Sequence, residues 1–252
     1  MTEQTANLSV PLSVPFPVPF PVPFPVPLRR RYYLVFDTET TGLMPKSGRG
    51  TPSPPISAYP HILQMSFAVY DMFDRKIVSQ YDSYVNVSPD IEISAEITGI
   101  TGITREKCNG GANIVDVLES FYKAYIMCEG LVAHNIEFDE KMIMIELERN
   151  CEKIANKMPQ CLKIFNPIYE QVHNIDRYCT MRKGTDICNI LVESKLPGRP
   201  PSKKWPRLNE LHASLFAGEV PDGLHNSMVD VLACLRCYLK MRHGIDSGAF
   251  IV

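Results

Sequence analysis

The sequence predicts an α/β domain whose core is a mixed five-stranded sheet with one antiparallel hairpin and helices on its flanks. Strand patterns come first along the chain, and helix and strand patterns alternate after them. Two of the early strand patterns are separated only by residues 72–75, and so short a link predicts a hairpin. The 252 residues can bury one sizeable core, whereas two full domains would be cramped.

Five segments carry a strand pattern. The first is the apolar run YYLVFD, which starts at Tyr32 and is bounded by a turn at Thr41 and Gly42. Residues 45–60 follow it and have the composition of a loop. The hairpin strands are HILQMSFAVYD and KIVSQYDSYVNV, and the last two strands are GLVAHN and NIDRYCTM.

Four helices are predicted from apolar residues at helical spacing. They cover residues 113–127, 136–150, 208–216 and 227–242. Asn135 is a suitable N-cap for the second helix, and Ser227 with Asp230 forms a capping-box-like start for the fourth. Residues 184–206 are loop-like toward their C-terminal half, where LPGRPPSKKWP lies.

The chain divides into a proline-rich tail over residues 1–30, one domain over residues 31–245 and a short C-terminal tail over residues 246–252. In PLSVPFPVPFPVPFPVPL nearly every second amide lacks a donor, so this segment cannot form a helix. That argues against a membrane span and a signal peptide despite its hydrophobicity. No P-x-x-P motif occurs in the run, and we expect a disordered or polyproline II tail.

Charge and cysteine content narrow the class of protein. The formal net charge of -2 excludes a generic polycation, so any contact with nucleic acid must come from local Lys and Arg clusters. The eight cysteines are scattered, which predicts a reducing, intracellular location, cytoplasmic or nuclear, and not secretion. Cys234 and Cys237 are interpreted as two half-buried thiols on neighbouring helix turns, not as zinc ligands.

Acidic residues recur at the ends of the predicted elements. Asp37 and Glu39 are two residues apart on the first strand, so they share one face and repel each other unless a cation lies between them. Each acid also has an ordinary structural explanation. A strand can simply end in polar residues, Asp139 complements a helix dipole, Asp230 belongs to a capping box, and His225 can be a loop histidine. One hypothesis nevertheless accounts for all five residues together.

The segments FDTETTG, HNIEFD and HNSMVD resemble, in this order, the three motifs of the DEDDh exonuclease family. That family includes the polymerase III epsilon subunit, ribonuclease T and oligoribonuclease. The resemblance extends from Arg31 to Arg242, and EITGITGIT and LNELHASLF agree with it. Asn226 occupies the position where the sister subfamily has a tyrosine, so His225 selects the histidine type. The resemblance implies a ribonuclease-H-like fold.

It also implies a metal-dependent 3′-to-5′ exonuclease that releases nucleoside 5′-monophosphates from single-stranded ends, with DNA slightly favoured over RNA. Asp37, Glu39, Asp139 and Asp230 would hold two Mg²⁺ ions, for which carboxylate oxygens are suitable ligands, and Mn²⁺ would substitute. His225 would act as the general base, since a neutral imidazole accepts a proton near physiological pH.

Further residues are assigned to substrate binding. By the resemblance, the backbone near Thr40 receives the terminal 3′-hydroxyl and Leu43 packs against the terminal sugar or base. Around Trp205 the sequence places a cluster of basic residues, namely Lys195, Arg199, Lys203, Lys204 and Arg207. This cluster fits a phosphate-tracking flap with an aromatic platform, and it fits an ordinary solvated loop equally well.

Two other functions stay open at this point. The chain could be an exoribonuclease that trims short or structured RNA, because DNA and RNA specialists share these motifs. It could also be a non-catalytic module that binds nucleic acid or docks on a polymerase, although such a module would be expected to lose one of the five residues. The family allows a polymerase partner and a homodimer, and no membrane contact is predicted. Residues 45–60 and 152–174 look like long inserts, which leaves substrate choice open.

Overall fold

The computed structural model describes residues 30–46, 48, 50, 52–194 and 198–248. The predicted tail up to residue 29, Lys195 and residues 249–252 lie outside this part of the chain. A five-stranded sheet with the order β3-β2-β1-β4-β5 forms the centre. Its strands are Tyr32–Thr40 (β1), Ile62–Asp71 (β2), Lys76–Tyr84 (β3), Gly130–Ala133 (β4) and Asp176–Cys179 (β5). β1, β2 and β3 are antiparallel, while β4 and β5 run parallel to β1, so the predicted mixed sheet is confirmed.

Helices cover both faces of this sheet. They are Ala95–Thr101 (α1), Arg105–Asn109 (α2), Ile114–Tyr125 (α3), Ile136–Arg149 (α4), Cys151–Lys157 (α5), Pro167–Val172 (α6), Thr180–Cys188 (α7), Leu208–Leu215 (α8) and Ser227–His243 (α9). A small hairpin pairs Leu191–Val192 (β6) with Ser202–Lys203 (β7). None of the helices in the described ranges has the length and apolar character needed to cross a bilayer.

The alternation of side chains along β1 divides the core in two. Leu34 and Phe36 pack into the core beneath α3 and α4, whereas Tyr33 and Val35 pack on the α9 side. Because the alternation has a period of two, Asp37 and Glu39 continue the α9-facing row and Thr38 continues the other. The end of β1 therefore presents polar groups to both layers of helices.

The strand prediction for NIDRYCTM is wrong beyond Cys179. Thr180 and Met181 begin α7, a helix that runs to Cys188 and that the sequence patterns did not predict. Close contact with α8 explains the helix, since a Cβ atom at Gly184 would lie 2.6 Å from Leu211 Cδ1. This packing is not evident from the sequence, because the helix follows a strand without an intervening turn.

Helix starts differ from the predictions in detail. Asn135 lies in the left-handed region with φ 70° and makes no side-chain cap. At α9 it is Asn226, and not Ser227, that caps the helix, accepting hydrogen bonds from the amides of Met228 and Val229. Cys234 is fully buried and not half-buried as predicted, and Cys237 likewise.

Candidate active site

β1 carries the first two acids of the site. Asp37 Oδ2 is buried and has no hydrogen-bond partner among the described residues. Glu39 is only partly buried, two residues further along the strand. A buried carboxylate oxygen without a donor is costly unless another group satisfies it, and a carboxylate that binds a cation fits this position.

Asp139 comes from the first turn of α4 and reaches the same strand end. Its Oδ1 accepts a hydrogen bond from the amide of Thr38 at 2.9 Å and another from Thr38 Oγ1 at 2.8 Å. Only 2% of Asp139 is exposed. Thr38 lies between Asp37 and Glu39 on β1. Its two hydrogen bonds therefore hold the second motif in contact with the first.

α9 and the loop before it supply the third part. The amide of His225 donates a hydrogen bond to Asp230 Oδ2 at 3.0 Å, and the exposed His225 has a left-handed backbone with φ 70°. Glu39, His225 and Asp230 each offer a potential ligand atom, and these atoms lie within 4.8 Å of one another. This spacing suits a shared cation.

A buried polar chain beneath the acids holds α9 in place. Ser227 Oγ donates to the backbone carbonyl of Asp37 at 2.7 Å, and the Ser227 amide donates to Gln64 Oε1 at 3.4 Å. Gln64 Nε2 and Ser66 Oγ in turn donate to Asp82 Oδ1 at 2.8 and 2.7 Å. None of these residues except Ser227 was singled out by a sequence pattern. In the sequence, Gln64 and Ser66 are visible as two polar residues in an otherwise apolar strand, at the same spacing as Asp37 and Glu39.

Electrostatics in the site point to a bound cation. Burial, together with repulsion from Asp139, Asp230 and Glu39, raises the pKa of Asp37 well above its usual value. Burial, and then Asp230 and Asp139, raises the pKa of Glu39 to about 8. Burial raises the pKa of Asp139 to about 7 against the opposing hydrogen bonds from Thr38, and it raises the pKa of Asp230 to about 7. An all-oxygen set of crowded acids fits a hard divalent cation.

The melting temperature of the metal-free protein should therefore fall as the pH rises. Glu39, Asp139 and Asp230 hold their protons more tightly in the folded chain than in the unfolded chain, whose carboxyl pKa values are near 4. The stability that this provides is complete below about pH 4 and is lost as the pH passes through 7 to 8. Thermal melts in EDTA from pH 5 to 9 test this. Saturating Mg²⁺ should flatten the slope, and an equal slope with and without Mg²⁺ would contradict it.

The three motifs meet at the carboxyl end of β1, the central strand of the sheet. A family model covers all three of them. The RNase_T model, described as "Exonuclease", matches residues 34–238. The chain belongs to this exonuclease family. The resemblance drawn from FDTETTG, HNIEFD and HNSMVD is thus confirmed.

Curated relatives of this exonuclease-family chain include polymerases. The "DNA polymerase III PolC-type" of Bacillus subtilis (strain 168) is 28% identical over 162 residues, which is 64% of this chain and 10% of the relative. The protein of that name from Streptococcus agalactiae serotype III (strain NEM316) is 34% identical over 147 residues, 57% of this chain and 9% of the relative. The chain thus spans about a tenth of the length of these relatives.

Solved structures share the fold. Escherichia coli exonuclease I in complex with a dT13 oligonucleotide has a TM-score of 0.56 at 16% identity, covering 85% of this chain and 42% of that one. The zinc-bound form of the exonuclease I complex with single-stranded DNA has a TM-score of 0.56 at 17% identity, covering 85% and 41%. The ribonuclease-H-like fold expected for the exonuclease family is confirmed by these matches.

The residues predicted to contact substrate are placed in two areas of the exonuclease-family domain. Thr40 and Leu43 line a cleft of about 290 Å³ beside Glu39, and α1 closes its other side with Ile97 and Ile100. Lys203 and Lys204 are engaged elsewhere, in ion pairs with Asp186 at 2.7 Å and Glu210 at 2.6 Å. Trp205 is 59% exposed beside them. The Lys203 pair with Asp186 is on the surface, where such pairs are weak, so the assignment of the two lysines to substrate stays a prediction.

Proposed function

We propose that the chain is a metal-dependent 3′-to-5′ exonuclease that acts on single-stranded ends, with DNA slightly favoured. The observation that carries this proposal is that Asp37, Glu39, Asp139 and Asp230, from three separate elements, lie close enough to repel one another, with Glu39 and Asp230 beside His225. Such a set suits two Mg²⁺ ions, and Mn²⁺ would serve on the same grounds.

The chemistry divides between the cations and the side chains. When bound, the two divalent cations would supply stabilisation of the charge that develops on the phosphate and on the leaving oxygen. Asp37, Glu39, Asp139 and Asp230 would hold them. His225 accepts the proton of the attacking water, whose oxygen forms a new bond to the terminal phosphorus. The bond from phosphorus to the 3′-oxygen of the preceding nucleotide breaks, and that oxygen takes up a proton from solvent water, so a nucleoside 5′-monophosphate leaves and the shortened strand keeps a 3′-hydroxyl.

The cleft next to Glu39 suits the last nucleotide of the strand. The turn after β1 is held by a hydrogen bond from Thr40 Oγ1 to the carbonyl of Gly42 at 2.7 Å. That turn leaves Leu43 86% exposed, facing the partly exposed Ile97 and Ile100 across the cleft. An exposed leucine opposite apolar groups favours a flat, apolar ligand such as a terminal base or sugar.

Leu43→Ala should raise the KM for a DNA oligonucleotide by about fivefold to tenfold, since it removes about 1 to 1.4 kcal/mol of apolar contact, and should leave kcat nearly unchanged. Steady-state kinetics on a 5′-labelled single strand measure both constants. Ile168→Ala on α6 is the matched control, because Ile168 is 73% exposed but lies outside the cleft. A kcat loss with unchanged KM would contradict the role of Leu43.

Labelled oligonucleotides test the direction and the substrate. With Mg²⁺, a 5′-labelled DNA strand should shorten one nucleotide at a time, and a 3′-labelled strand should release its label at once as a mononucleotide. The same two labelled strands made of RNA distinguish a deoxyribonuclease from the exoribonuclease alternative. If neither DNA nor RNA is shortened in Mg²⁺ or Mn²⁺, the proposal fails and the non-catalytic alternative gains support.

The proposal extends to partners. The PolC-type relatives are polymerases by name, which supports proposing a polymerase as a partner of this chain. A homodimer and an intracellular location stay predictions from the sequence. Size-exclusion chromatography with light scattering measures the oligomeric state of the purified protein.

A further inference from the structure

Trp205, the chain's single tryptophan, is 59% exposed although its backbone is firmly held. On one side, the Lys204 amide donates a hydrogen bond to the carbonyl of Ile190 at 3.0 Å. On the other side, Pro206 is buried and its carbonyl lies 3.0 Å from His134 Nε2. A large aromatic ring on a fixed backbone, but outside the core, is typical of a preorganised binding surface.

His134 connects Trp205 to the catalytic edge of the sheet. Burial lowers the pKa of His134 to about 4, so the ring is neutral near pH 7. Because a carbonyl can only accept a hydrogen bond, Nε2–H is the donor to the Pro206 carbonyl, and Nδ1 accepts a hydrogen bond from Thr180 Oγ1 at 3.0 Å. His134 follows β4 directly, and β4 pairs with β1 in a parallel register that aligns Val132 with Val35. His134 therefore lies just beyond the carboxyl end of β4, at the same end of the sheet as Asp37.

Arg182 completes the surface. Its guanidinium carbon lies 5.6 Å from the centre of the Trp205 ring, and its Nη2 contacts Glu137 Oε2 at 2.6 Å. Glu137 is in the first turn of α4, two residues before Asp139. The ion pair is on the surface, with 48% of the Arg182 side chain and 63% of the Glu137 side chain exposed, and such pairs are weak. A phosphate can therefore compete for Arg182.

We propose that Arg182 and Trp205 form a second nucleic-acid subsite, a platform on which an unpaired base upstream of the 3′-terminal nucleotide stacks while Arg182 pairs with a neighbouring phosphate. Stacking on an aromatic ring combined with local positive charge is the usual way in which single strands are held without sequence preference. The inference rests on the proposed function and deepens it, because it makes a strand longer than one nucleotide the preferred substrate.

Phe73 provides a matched control within the same chain. It is 55% exposed, and the Arg31 guanidinium carbon lies 5.6 Å from its ring centre. However, it sits in the β2–β3 turn beside the amino end of β1, at the opposite edge of the sheet from Asp37. The two aromatic–arginine pairs thus share their geometry and differ in position.

The experiment compares two substrates in the full-length protein. Trp205→Ala should raise the KM for a DNA 20-mer by about tenfold, as expected for one lost stacking contact, with kcat unchanged. Trp205→Phe should restore most of the affinity. Hydrolysis of thymidine 5′-monophosphate p-nitrophenyl ester, which has no upstream nucleotide, should stay at the wild-type rate in both variants. Phe73→Ala should leave the kinetic constants for both substrates unchanged.

Fluorescence gives a second measurement, because Trp205 is the only tryptophan. In the Asp37→Asn protein with Mg²⁺, addition of a DNA single strand should quench the emission of Trp205. Addition of the mononucleotide dTMP should not.

The outcomes separate the two proposals. If the wild-type protein hydrolyses neither the ester nor the 20-mer, the proposed function fails and this inference falls with it. If wild type hydrolyses both and Trp205→Ala matches it on the 20-mer, only the platform is overturned. An equal loss on the ester also overturns the platform, since it indicates a structural role. A tryptophan emission that the single strand does not quench would likewise overturn the platform.

Discussion

Asp37→Asn is expected to abolish Mg²⁺-dependent hydrolysis and, at the same time, to raise the melting temperature of the metal-free protein. Activity should fall by about four orders of magnitude, because a ligand of the charge-stabilising cations is lost. The metal-free fold should gain about 3 to 8 °C at pH 8, since Asn removes a buried carboxylate that three other acids repel.

Opposite shifts in activity and stability distinguish this residue from one that merely supports the fold. Oligonucleotide hydrolysis and thermal melts in EDTA measure the two effects on the same preparation. Glu152→Gln, a change at an exposed acid on α5, serves as control and should alter neither. An Asp37→Asn protein that keeps its activity, or that melts earlier in EDTA than the wild type, would contradict the account.

His225→Asn should lower kcat by about a hundredfold to ten-thousandfold, the usual contribution of a general base. Asn is the appropriate replacement because the backbone at His225 is left-handed with φ 70°, a conformation that Asn tolerates better than Ala. The amide hydrogen bond to Asp230 does not depend on the side chain and should persist.

The metal dependence of this variant decides between two roles. If His225 acts only as a general base, the Mg²⁺ concentration that gives half the maximal rate should be the same in the variant. If His225 is a metal ligand together with Glu39 and Asp230, its loss should raise that concentration severalfold. A His225→Asn protein with wild-type kcat would overturn the assignment as base.

The sequence predicted the sheet and the five motif residues because their signals are local. An apolar run that ends in Asp37 and Glu39, and two helices that begin near Asp139 and Asp230, follow from periodicity within a few residues of each site. Recognition of the family then connected these separate segments.

What the sequence did not predict depends on contacts between distant segments. The hydrogen bond from Ser227 to Asp37 joins positions 190 residues apart, and its hydroxyl was interpreted as a helix cap. The bonds from Thr38 to Asp139 span 101 residues. Lys203 was placed in a cationic cluster by its basic neighbours, whereas its ion-pair partner Asp186 lies on α7, a helix that was not predicted. Local patterns carry no information about such pairings until the fold is known.

The central claim is that four carboxylates hold two cations at the end of β1. A crystal structure with Mn²⁺ and a bound nucleoside 5′-monophosphate, analysed by anomalous scattering, measures this directly. The account predicts two peaks about 3.5 to 4 Å apart, bounded by Asp37, Glu39, Asp139 and Asp230, with the phosphate between them and His225 nearby. An absence of anomalous peaks at these carboxylates, or a single ion bound elsewhere in the domain, would contradict it.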